Sequence, residues 1–303
     1  MKIAGFSGSF RNFPFPTHPD FSLHDFNNKN SVIPDAYIQT SVVGVLKRQA
    51  LYQYQYIANS GKPVLVMEQA VFRQNLHMYE NQEEYYFRLG LNHYDYKNGY
   101  FANKNSPGDR WQQIQKDQEI EIKPWKSTGD YILILLQHPV DTSINSILRY
   151  MPYSKWIENL VKKIRDITDE DIVIRMHPVS THKRSEYGVD NLLDYPNVYL
   201  SEHVVNNHNP SHGGSSLYDD FANARVCVGY TSNSLTEAVC EGIPTISLSD
   251  ESFAYPVSYD NLEVLHKRKL VCKIDRTQWL HDCSYAQWKL SEINEGIPHR
   301  RLL

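Results

Sequence analysis

The chain has only four cysteines, Cys227, Cys240, Cys272 and Cys283, and no two stand at C-x-x-C spacing. That density is too low for a disulfide scaffold, so they read as reduced packing residues. Long apolar runs are missing as well, and nothing approaches the length of a membrane span. The opening MKIAGFSGSF has one lysine and too short an apolar segment for a secretory signal, which makes the cytoplasm the expected location. Positive charge is scarce too. The formal net charge is −4, whereas a dedicated nucleic-acid binder needs clustered Lys and Arg to neutralise phosphates. The short basic clusters, such as 162–165 and 266–269, read as solvated faces, although a local basic cleft stays open. Internal repeats and low-complexity tracts are absent.

What is present suits two domains. The 303 residues and 41% hydrophobic content allow two real cores. The most informative stretch is Val226 to Leu248, VCVGYTSNSLTEAVCEGIPTISL. A short apolar run ends at Gly229, a polar cluster from Thr231 to Ser234 follows, then a helical pattern, then Gly242-Ile243-Pro244 and a second apolar run. This is the pattern of a βαβ unit in a doubly wound sheet. Small hydroxyl and amide side chains at a helix start favour an anion. They serve equally well as simple caps.

Elsewhere the pattern predicts strands over Lys2–Ser7, Asp35–Gln39 and Pro63–Glu68, with a helix over Val42–Asn59. Phe13–Ser31 reads as an irregular loop, and Tyr79–Trp125 as an aromatic, Asn-rich insertion. Ser9, Arg11 and Asp20 lie in loops after the first strand. Arg88, Asn92, Asn103, Asp109, Arg110 and Trp111 concentrate polar and stacking chemistry in the insertion. Glu68 falls at a strand tip, where a carboxylate serves either as a base or as hydrogen-bonding support.

After Trp125 a second sheet is expected. Tyr131–Leu136 ends in Gln137-His138-Pro139, Asp171–Met176 ends in His177-Pro178, and Tyr153–Ile167 is an amphipathic helix between them. Asn197–Leu200 is a short strand, Leu217–Ala224 a helix, and Gln278–Glu295 a terminal helix carrying Trp279, Tyr285 and Trp288. His203, His208 and His212 share a loop without fixed geometry, and Asp169-Glu170-Asp171 precedes a strand instead of following one. No metal site is expected from either.

Together these residues resemble a known family. Gln137 with Asp141-Thr142-Ser143, the I-R-M-His177-Pro178 run, Thr231-Ser232-Asn233-Ser234 with Glu237-Ala238 and Gly242-x-Pro244, and the closing Ala286-Gln287-Trp288 resemble phage-encoded GT-B-like glycosyltransferases. These are related to capsular-polysaccharide, Kdo-transferase-like enzymes. The likeness covers Tyr131 to the C-terminus, and the stretch from Asn103 to Trp111 extends it toward the phage members.

The resemblance implies an α/β, GT-B-like fold of two Rossmann-like domains facing across a cleft. Residues 1–126 would bind the acceptor, residues 127–282 the nucleotide-sugar, and residues 283–303 would form a terminal helix crossing back to the first domain. Gln137, Asp141, Ser143, Arg175, His177, Thr231, Ser232, Asn233 and Ser234 would contact the donor, and Glu237 would hold its ribose. Glu68, Asp109 and His177 are the implied catalytic residues. Ser9, Arg11, Asp20, Arg88, Asn92, Arg110 and Trp111 are the implied acceptor contacts. The donor would be a UDP-sugar, or alternatively a CMP-sugar, with no tightly bound cofactor and no metal. The glycine-rich signature of UDP-sugar enzymes is absent. The acceptor expected first is a 5-hydroxymethylated pyrimidine in phage DNA, in the host cytoplasm. The alternatives are a capsular or surface polysaccharide and a non-catalytic module that binds nucleotide or DNA.

Overall fold

The computed structural model describes all residues except 7–9, 11–13, 25–32, 41–54, 73–80, 179–183, 203–212, 271 and 273, and for 213–216 it describes the backbone only. The chain divides into two compact units, one of Met1–Gln113 with Leu280–Leu303 and the other of Ile114–Trp279.

In the first unit, β1 (Ile3–Phe6) runs parallel to β2 (Phe21–His24) and to β3 (Ala36–Thr40). β4 (Val64–Gln69) continues parallel to β3, and β5 (Tyr86–Leu91) turns antiparallel to β4. Alternation along β1 and β3 divides the apolar side chains between two faces. Ile3 and Ile38 join Leu65, Met67, Phe87 and Leu89 in one core. Ala4, Phe6 and Tyr37 pack with Ile57 on the other side, from the helical residues 55–59. The remainder of the helix expected over Val42–Asn59 lies outside the described residues.

In the second unit every strand is parallel. β6 (Tyr131–Leu135) lies between β7 (Asp171–Arg175) and β9 (Ala224–Gly229), with β8 (Val198–Leu200) and β10 (Thr245–Ser247) at the edges. A parallel sheet is covered on both faces and its strands read as unbroken apolar runs, and Ile132, Leu133, Ile134 and Leu135 are all buried. The Tyr153–Ile167 helix supplies Ile157, Leu160, Val161 and Ile164 to the core. On its exposed face Glu158 pairs with Lys155 and Lys162.

Three expectations from the sequence are corrected. Phe13–Ser31 contains β2. The Tyr79–Trp125 insertion contains β5 and a helix over Asp109–Gln118. The expected Gln278–Glu295 helix is broken: Thr277–Ser284 is helical, β11 (Gln287–Lys289) pairs antiparallel with β5, and Leu290–Asn294 and Ile297–Leu302 are short helices. Edge pairing of β11 with β5 satisfies backbone groups that a continued helix would leave open on that strand.

The turn at Gly242 is held by a strap of preceding chain. Gly242 has φ +74°, and a Cβ placed there would lie 2.0 Å from the Pro124 carbonyl oxygen. Lys123 N–H donates to Cys240 O at 2.9 Å and Lys126 N–H to Gly242 O at 2.6 Å. Arg276 donates to Val239 O and Lys123 O and covers the Trp125 ring at 4.2 Å. A side chain here meets both a left-handed backbone and a rigid carbonyl. Gly242→Ala is therefore expected to destabilise the second unit by at least about 1–3 kcal/mol, read as a lower urea midpoint with the first unit's signal unchanged.

Candidate functional site

In the second sheet the chain winds one way from β6 through β7 to β8 and the other way from β9 to β10. The order therefore reverses between β6 and β9, and open α/β sheets bind ligands at the carboxyl ends of such strands. The residues two positions beyond these two ends, Gln137 and Thr231, are joined by one side chain. The Gln137 amide donates to Thr231 Oγ1 at 2.7 Å, accepts from Thr231 N–H at 3.2 Å, and also donates to Ser143 Oγ. Its own backbone N–H donates to the Tyr153 hydroxyl at 3.1 Å. Gln137 is buried, whereas Ser143, Thr231, Ser232, Asn233 and Ser234 are partly open to solvent. Asp141 accepts from Ser143 N–H at 2.9 Å and caps the Thr142–Ile144 turn. Asp141 thus shapes the hydroxyl cluster from below.

Around Ser234–Cys240 part of the hydroxyl run serves the helix start. Ser232 Oγ accepts from Ser234 N–H at 3.3 Å, and Ser232 O accepts from Leu235 N–H. Ser232 therefore caps this helix. Asn233 already has helical dihedrals and makes no side-chain cap bond. Glu237 accepts from the Tyr218 hydroxyl at 3.1 Å. Tyr218 was not singled out by the sequence reading, which saw only the helix carrying it.

At the end of β7, Arg175 is 4% exposed and donates to Asp220 at 2.5 Å, while the Ser201 hydroxyl donates to both oxygens of the same carboxylate. Its guanidinium is thus engaged in a buried ion pair with Asp220. Asp220 falls beside Leu217 and Phe221 on the buried face of its helix, and a charge on an apolar face calls for a cationic partner. The neighbouring His177 is tilted edge-on to His138, with ring centroids 6.1 Å apart. Burial, seconded by His138, lowers its pKa, so it is neutral at pH 7.

In the first unit the expected acceptor and catalytic residues are dispersed, and Ser9 and Arg11 lie outside the described residues. Glu68 on β4 stands opposite Arg88 on β5, both buried. Burial lowers the Arg88 pKa and the Glu68 charge opposes that shift most. Asn92 follows β5 at φ +69° and bonds Val64 at the opposite end of β4. Because β5 runs antiparallel, Asn92 is about 13 Å along the strand from Glu68. Arg110 is committed: it forks onto Glu292 at 2.7 and 3.0 Å, donates to Gln287 O, and lies 3.8 Å over the Trp288 ring. Trp111 is 7% exposed and packs on Phe72, so it offers no stacking platform. Burial pushes the Asp109 carboxyl up, but the Tyr285 hydroxyl at 3.0 Å and backbone N–H groups bring it below its ordinary value. Asp20 is also lowered, chiefly by its hydrogen bond with His299.

The His177 shift has a definite sign in stability. A histidine whose folded pKa is depressed binds fewer protons folded than unfolded, so stability falls as pH drops below the unfolded value of about 6.5. His177→Gln is expected to flatten this acid-side fall of the second unit by up to about 1.4 kcal/mol per pH unit. Melts of both proteins between neutral and mildly acid pH would show it, and parallel curves would refute it.

No protein-family model and no curated protein matches the chain. The solved structures do: Thermosulfurimonas dismutans KpsC, beta Kdo 2,4 transferase, aligns with a TM-score of 0.52 at 11% identity, covering 94% of this chain and 90% of that one. The beta Kdo 2,7 transferase of the same KpsC aligns with a TM-score of 0.48 at 14% identity over the same shares, too distant to carry an argument. The chain thus has a mixed α/β fold, with two parallel-rich sheets, similar to that of a glycosyltransferase.

Proposed function

We propose that the chain is a nucleotide-sugar-dependent glycosyltransferase whose donor binds at the carboxyl edge of the second sheet and whose acceptor is a saccharide. The observation that carries this reading is the Gln137 amide, which joins Ser143 and Thr231 across the point where the strand order reverses. Hydroxyls fixed at that place suit the phosphate of a nucleotide-sugar, since their dipoles are oriented before the ligand arrives. Ser143, Thr231, Ser232 and Ser234 would meet the phosphate. Glu237, steadied by Tyr218, would accept from the ribose hydroxyls. His177, being neutral, would donate one hydrogen bond to the departing phosphate.

In the transfer, the acceptor hydroxyl oxygen forms a bond to the anomeric carbon as the bond from that carbon to the phosphate oxygen breaks. The nucleotide leaves with the electron pair, and the hydroxyl proton passes to a base. Among the first unit's carboxylates, Asp20 and Asp109 are held below their ordinary range, which makes them poorer bases. Glu68 is the base in this proposal.

The order of acceptors is reversed from the sequence reading. Hydroxymethylated DNA came first there through the phage-like stretch, but the fold similarity is to a Kdo transferase and no comparison supports a DNA acceptor. The test is transfer itself. With a panel of UDP- and CMP-sugars, nucleotide release should rise when capsular-type oligosaccharides are added and stay at background with hydroxymethylated DNA. Glu237→Gln should raise the donor KM about 10- to 100-fold, the cost of weakening a hydrogen bond to a charged group. Transfer to DNA alone, or an unchanged donor KM in that variant, would sink the proposal.

A further inference from the structure

A second cluster of chemistry-bearing side chains lies in the first unit, among residues that the transfer reaction does not use. His18 and Asp20 precede β2, and His299 comes from the Ile297–Leu302 helix, 279 residues beyond Asp20. Asp20 Oδ2 is 3.0 Å from His299 Nε2 and 3.6 Å from His18 Nδ1. One ligand atom from each residue falls within 4.8 Å of the other two. A tetrahedral zinc ion with bonds near 2.0–2.2 Å spaces its ligand atoms about 3.3 Å apart. The two short separations bracket that value, and a turn of the His18 ring closes the third.

We propose that His18, Asp20 and His299 bind a zinc-class divalent cation that ties the loop before β2 to the C-terminal helix. The donor set suits this class of metal: two imidazoles and one carboxylate are borderline ligands of the kind zinc prefers over calcium or magnesium. His299 is fully buried, and packing fixes its ring, with Phe21 at 4.8 Å and His18 at 5.0 Å. Its Nδ1 has no hydrogen-bond partner, so no other bond competes for the ring's orientation. The Asp20 backbone N–H donates to His18 Nδ1 at 3.1 Å, so this nitrogen is the unprotonated one, and a bound cation would take the place of that hydrogen bond. Two cations stand beside the cluster, Arg300 at 3.1 Å from His18 Nε2 and the Met1 ammonium at 3.7 Å from Asp20 Oδ1, and both residues are exposed and can swing into solvent. The fourth position faces outward through the partly open Asp20 and would hold water. This cation is structural, and the proposed transfer chemistry does not involve it.

The test uses the full chain stripped of metal and titrated with cobalt(II), whose visible absorption reports tetrahedral nitrogen and oxygen ligands, followed by displacement with zinc. One cobalt per chain is expected, together with a rise of about 5 °C in the first unit's melting temperature at saturating zinc. Asp20→Asn and His18→Asn should each weaken zinc more than about 100-fold, beyond the 10- to 100-fold typical of lost supporting partners. His93→Gln, at an unrelated surface histidine, should leave affinity unchanged. Asp20→Asn keeps the size of the side chain, and its circular dichroism confirms folding where His299→Ala fails to fold. No stoichiometric cobalt band, or a band untouched by the Asp20 and His18 variants, would overturn the proposal. Neither result depends on whether the chain transfers a sugar.

Discussion

The arrangement of the second unit follows from one constraint. In a parallel sheet each strand must begin again at the same end, so every loop that follows a strand emerges at the same edge. β6, β7, β9 and β10 therefore deliver Gln137, His177, Thr231 and Ser249 to one edge, although these residues are far apart in sequence. Gln137 turns that shared edge into a fixed surface. Its amide has both a donor and an acceptor, and Thr231 uses both, a reciprocity that neither a carboxylate nor an ammonium offers. The Arg175–Asp220 pair does comparable work one strand away by holding a helix against the sheet below the loop that bears His177. A buried pair of this kind adds little net stability, and its more evident effect is to fix one arrangement.

Much of this was legible in the chain. β6 reads as an apolar run because both of its faces are covered, and the Tyr153–Ile167 helix reads from Ile157, Leu160 and Ile164 recurring at helical spacing. The Val226–Leu248 pattern located the strand, turn, helix and strand around the hydroxyl cluster. What the chain did not reveal is which polar groups are already occupied. Arg175 and Arg110 look like ligand-binding arginines in a list of residues, and only the structure shows that each already has an internal partner, Asp220 and Glu292. Those partners are 45 and 182 residues away, beyond the reach of any local pattern.

The misread elements share a cause. β5 carries Arg88 among Tyr, Phe and Leu, and a charge inside an apolar run suggests a surface segment until Glu68 is seen opposite. β2 is four residues set in Pro- and His-rich sequence. The segment from Gln278 to Glu295 holds neither proline nor glycine, so nothing in it marks where the helix stops. The three residues of β11 are too few to show an alternation of their own, so their identity as a strand comes from β5.

β11 also governs when the first unit can be completed. The Gln287 side chain accepts from Val71 N–H across 216 residues, and its backbone lies against β5. On a ribosome, β1 to β5 emerge long before this last strand exists, and their sheet waits with one edge unpaired. The second unit, continuous in sequence, has all its strands by Ser247. It is therefore positioned to fold first, in the middle of the chain, while the unit that begins the protein closes last. The interval leaves the β5 edge open to pairing with other chains, and its length is set by how long the ribosome takes to add the intervening segment.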